Sequence, residues 1–114
     1  MMNVRKSYYM STAQKNKLIR DNIPEIAKEN GKTIDFYVAT SESEYWAYLK
    51  QKLDEECQEF IDSEETEELA DILEVIDAII QYKSIDSKDL ERIKKDKHDK
   101  RGGFDKHLIM RGIK

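Results

Sequence analysis

One cysteine, one proline and four glycines are spread over 114 residues, and each scarcity closes off a class of protein. A single thiol, Cys57, makes an internal disulfide impossible and leaves no cysteine framework for zinc. It falls on an apolar helical arc and reads as a core residue rather than a reactive thiol. The dearth of proline and glycine argues against a chain built from turns and favours long helices. No apolar run approaches the roughly 20 residues that span a bilayer. The amino terminus has basic residues but no apolar h-region, so no secretory leader is expected and cytoplasm is the default compartment. A net charge of -4 speaks against general affinity for nucleic acid, although a local basic pocket remains open.

What is present is charge, at 39% of residues, against 39% hydrophobic. That balance suits one helical domain with narrow apolar stripes rather than a deep core. Much of the apolar surface is then expected to be covered only when subunits meet, as a homodimer or homotetramer. Residues 1–14 show no periodicity and read as an extension, with Met10 a possible second initiator and Tyr8 and Tyr9 candidates for packing on a partner. Residues 15–114 read as a single all-α domain.

Along that domain, 17–20 reads as extended. Asn22 or Asp21 is placed to cap a helix with Pro24 in its first turn and Gly31 at its end. Residues 33–39 are rich in β-formers and read as an extended segment without a partner strand. Ser41 to Glu44 is a capping box opening a long helix to about Asp62. Ser63 is expected to cap a second, from about Glu64 to Tyr82. A link of a couple of residues makes the two antiparallel neighbours. A third helix follows, capped by Asp86 or Ser87 and stopping at Gly102-Gly103. Its inner face is sparse (Leu90, Ile93), its remainder is basic, and Phe104 is expected to pack back.

The chemistry gathers on the two long helices. Residues three apart share a helical face, so Glu56 with Glu59, and Glu68 with Asp71, each aim two carboxylates at one region. At about 100° per residue, Trp46, Leu49, Leu53, Cys57 and Phe60 form one apolar arc. Glu56 lies on its edge, Glu59 beside it, and Glu55 almost directly opposite. On the second helix Glu68 falls inside the broad apolar arc and Asp71 near its margin. Acids rarely face a core unless they are paired or bound to a metal. Hairpin topology brings both pairs together, and oxygen-only ligands suit a hard cation. The blander reading is a solvated acidic surface, helped at Glu68 by the helix dipole. Glu74 and Asp77 repeat the spacing on the polar side, with Glu74 a reserve ligand.

Three blocks carry a resemblance: Glu55-Glu56-Cys57-Gln58-Glu59 with Glu68-Leu69-Ala70-Asp71, the segment from Lys17 to Ile26, and Lys100 to Phe104. Together and in this order they resemble the small single-domain branch of the MazG-like and phosphoribosyl-ATP pyrophosphohydrolase-like all-α nucleoside triphosphate pyrophosphatases. The likeness implies a helical hairpin with flanking helices, completed as a bundle by homo-oligomerisation. It implies cleavage between the α and β phosphates of a nucleotide, with a house-cleaning role. Glu56, Glu59, Glu68 and Asp71 would hold Mg²⁺, with Mn²⁺ a substitute. Glu55, Glu56 or Glu59 would orient or deprotonate the water, and Lys17, Arg20, Lys97, Lys100 and Arg101 would grip phosphates.

Asn22 departs from the pattern where related chains often carry a base, and the gap between the acidic pairs is short. Tyr37, Tyr45 and Trp46 are candidates for stacking a base, with Trp46 better read as core. His98 and His107 lack partners at ligand spacing. The competing readings are a non-catalytic helical interaction or regulatory module, and a nucleic-acid adaptor using Lys94 to Arg101. The second conflicts with the acidity and the lack of a helix-turn-helix pattern.

Overall fold

A computed structural model describes residues 16–114; the reading of 1–14 as an extension lies outside the described residues. The described chain is all helical, in the order α1 (Ile23–Glu29), α2 (Glu42–Ser63), α3 (Thr66–Tyr82) and α4 (Ser87–Arg101), with no strand among the described residues. Among the described residues no helix is long and apolar enough to cross a membrane.

Pro24 sits in the first turn of α1, as expected, but Asn22 caps it without using its side chain. The backbone carbonyl of Asn22 accepts the Ile26 N–H instead, at 2.9 Å. Gly31 turns the chain at φ +76, a conformation that suits glycine because it has no Cβ. Residues 32–39 then run without helix or strand until Tyr37 donates its hydroxyl to Glu44 at 2.9 Å. Only half of the expected capping box forms. Ser41 Oγ accepts the Glu44 N–H at 3.1 Å, whereas the Glu44 carboxylate reaches one residue too far back and takes the Thr40 N–H at 2.8 Å. These bonds, first from Thr40 and then from Tyr37, hold the Glu44 carboxyl below its usual range.

The α2–α3 hairpin is the one extensive helix–helix packing among the described residues. Leu49, fully buried, and Val75, buried, are the apolar residues at its centre. At the open end Trp46 stacks on Tyr82, with ring centres 5.0 Å apart and planes 5° from parallel. Lys50 and Lys83 approach the indole at 5.5 and 5.6 Å. The Trp46 indole is therefore already in a stack.

The closed end departs from expectation. Ser63 is the last residue of α2, not the cap of α3; its Oγ accepts the Glu65 N–H at 3.2 Å. The reversal is made by Glu64, which takes a left-handed conformation (φ 59, ψ 20) and donates its N–H to Phe60 at 2.7 Å. That consumes two residues, so α3 begins at Thr66 with Glu65 as an N-cap that makes no side-chain bond.

Asp86, not Ser87, caps α4 by accepting the Lys88 N–H at 2.8 Å. Gly102 stops the helix at a positive φ of 80, a conformation open to glycine because it has no Cβ. Every residue from 86 to 114 is exposed. Leu90 and Ile93 lie uncovered, and Phe104 does not pack back: it is 95% exposed. An α4 face with two apolar residues offers too little area to hold it against the hairpin. The radius of gyration is accordingly 18.0 Å, against about 13 Å for a compact chain of this size.

Candidate metal centre

The short reversal at Glu64-Glu65 sets the last turns of α2 against the first turns of α3, and with them their acids. Carboxylate oxygens of Glu56, Glu68 and Asp71 lie within 4.8 Å of one another. Glu56 is buried, at 7% exposed, and Glu68 and Asp71 are half-buried. Two oxygens in this group, Glu56 Oε2 and Glu68 Oε2, are sealed from solvent without any hydrogen-bond partner. Buried acceptors left in this state cost about 1–3 kcal/mol each, more when charged, so the arrangement is one that a donor or a cation would relieve.

Electrostatics point the same way. Burial pushes the Glu56 carboxyl above the usual carboxylate range; Lys52 opposes this, and Glu59 and Asp71 add to it. Glu59 is half-buried and close enough to be felt, yet lies outside the 4.8 Å group. Three of the four expected ligands are thus gathered, and the fourth stands beside them. The donors are all carboxylate oxygens, the chemistry that hard divalent ions prefer, so the residues present fit Mg²⁺ or Mn²⁺.

Two basic residues of the segment before α1 meet the acids directly. Arg20 bonds Asp71 at 2.8 Å and approaches Glu74 at 4.0 Å; Lys17 lies 3.7 Å from Glu55. Glu55 sits opposite the apolar arc, as expected, and is nonetheless buried, beside Lys17 and Lys52. The 16–20 segment, with Leu18 and Ile19 half-buried, runs beside the hairpin and reaches both of its helices, Lys17 at Glu55 of α2 and Arg20 at Asp71 of α3. Helical periodicity describes one buried stripe and is silent about a second cover.

Lys52 was missed altogether. It lies 3.3 Å from Glu56 and 3.5 Å from Glu55, bridging the two acids; its i,i+3 and i,i+4 spacing to them was the signal available. Gln58, only 3% exposed, donates to Asp62 at 3.0 Å while its own carbonyl oxygen lacks a partner. Lys97, Lys100 and Arg101 are on exposed α4, and Glu74 is exposed on α3. The structure does not bring the α4 cations into the α2–α3 cluster. Family models, curated proteins and solved structures were compared with the chain, and none of the three gave a match.

Proposed function

We propose that the chain is a metal-dependent nucleotide pyrophosphohydrolase of the MazG-like type, cleaving between the α and β phosphates to a monophosphate and pyrophosphate in the cytoplasm. The observation that carries this reading is the pair of unpartnered buried oxygens on Glu56 and Glu68, converging with Asp71. A helical interaction module has no use for such a cost.

In this reading Glu56, Glu68 and Asp71 hold the cation, with Glu59 as the fourth acid. Bound Mg²⁺ would neutralise phosphate oxygens and stabilise the pyrophosphate leaving group. Glu55 is within reach of Lys17 and Lys52 and stands beside the cluster as the candidate to take a proton from water. Arg20 offers a planar pair of donors to a phosphate, and to do so it exchanges its bond to Asp71. Lys17 is a point charge on the same segment. Lys97, Lys100 and Arg101 complete the grip only if α4 or a second copy's α4 comes to the cluster.

Purified protein incubated with a panel of nucleotides and magnesium should release monophosphate and pyrophosphate in equal amounts. Orthophosphate as the first product would contradict the cleavage position. Glu68→Gln and Asp71→Asn should each lower turnover by about 100-fold or more with the helical circular dichroism unchanged. Wild-type rates in both would remove these acids from the mechanism.

A further inference from the structure

The segment from Ser87 to Lys114 is a folded helix and tail in which nothing is buried. A helix of 15 residues is marginal in water on its own, and α4 has little apolar surface of its own to add. Beyond it, Phe104, Leu108, Ile109, Met110 and Ile113 are all exposed, Ile109 at 88%. Five large apolar side chains in a thirteen-residue tail (residues 102–114) are not a solvated end; such a patch marks a contact surface.

The hairpin has a matching vacancy. Leu69 and Leu73 stand one turn apart on α3, share a face and are left uncovered, Leu73 at 61%. They extend the apolar arc of α3 past the part that α2 covers, and Ile61 lies exposed near the same closed end. The two surfaces are also opposite in charge. Residues 42–82 contain fourteen Asp and Glu against two Lys, whereas 87–114 contain ten Lys and Arg against five Asp and Glu.

A single chain therefore carries both an acidic apolar face and a basic apolar arm, with the arm held off its own face. An identical copy supplies the complement of each, and two such contacts close a symmetric pair with nothing left over.

We infer that residues 87–114 form an exchange arm whose tail covers the Leu69–Leu73 face of a second copy of this chain. This holds independently of the reaction proposed above, and mass alone tests it. By light scattering the full-length chain should have at least twice the 13.5 kDa of one chain. Leu108→Glu with Ile109→Glu damages the arm; Leu69→Glu with Leu73→Glu damages the face. All four side chains are exposed in the single chain, so neither pair of changes should unfold it, and helical circular dichroism checks this. Each doubly substituted protein should be monomeric by itself. An equal mixture of the two retains one intact arm on one intact face and should recover a one-to-one complex. A monomeric unmodified chain, which an arm folding back on its own hairpin would give, overturns the inference. So does an unchanged mass in either substituted protein, or a mixture that stays monomeric.

Discussion

At the scale of single residues, the cluster is a set of charges short of counter-charge. Glu68 is half-buried with one oxygen sealed and unpartnered, and its carboxylate stands within 4.8 Å of those of Glu56 and Asp71, like charges that repel. Glu68→Gln should therefore stabilise the metal-free protein by about 1 kcal/mol, or about 4 °C in melting temperature. The order should reverse with saturating Mg²⁺, since only the original residue gains from binding; paired thermal melts with and without the ion test both signs. Asp71→Asn should not share the metal-free gain, because it breaks the bond to Arg20.

Glu56 adds a pH dependence. Its carboxyl is raised in the folded state, chiefly by burial, so the folded form binds its proton more tightly than the unfolded one. Its contribution is most favourable below the unfolded value and is lost as pH rises through the folded one. Glu56→Gln should flatten this part of a metal-free stability profile above pH 4, measured by urea titration. Glu44 acts in the opposite sense: its depressed carboxyl contributes above its unfolded value and loses that as pH falls through the folded one.

At the scale of elements, the hairpin and its cluster were legible because they need only two facts: residues three apart share a face, and a two-residue link forces reversal. Glu56, Glu68 and Asp71 follow from those. The reversal itself was not legible, because nothing in Ser63-Glu64-Glu65 signals which residue turns left-handed. Glu64 does so with a Cβ in a region that costs such residues about 1 kcal/mol. Glu64→Gly should raise stability by about 0.5–1 kcal/mol, read as a higher urea midpoint at unchanged slope. The burial of Glu55 was equally hidden. It depends on where 16–20 runs, a tertiary fact that the periodicity of α2 does not contain.

At the scale of the molecule, the expectation of a domain with narrow apolar stripes agrees with what is seen: among the described residues two apolar side chains are buried and many are half-covered. The packing of Phe104 was not legible because a Gly-Gly stop says only that a helix ends, not what the following chain meets. A protein whose apolar surface is completed by a second copy should melt at a temperature that climbs with its concentration. A dilution series in differential scanning calorimetry measures that, and a flat series would mean the single chain carries its whole stability.

The sole tryptophan lies face to face with Tyr82, flanked by two ammonium groups, at the mouth of the hairpin. Its emission accordingly reports on that mouth and on little else, while far-ultraviolet ellipticity sums every helix. In a lone protomer the uncovered carboxyl-terminal rod should fray first, dimming the ellipticity while the indole signal stays put. Once that rod is sheltered, the two optical traces should collapse onto a single curve.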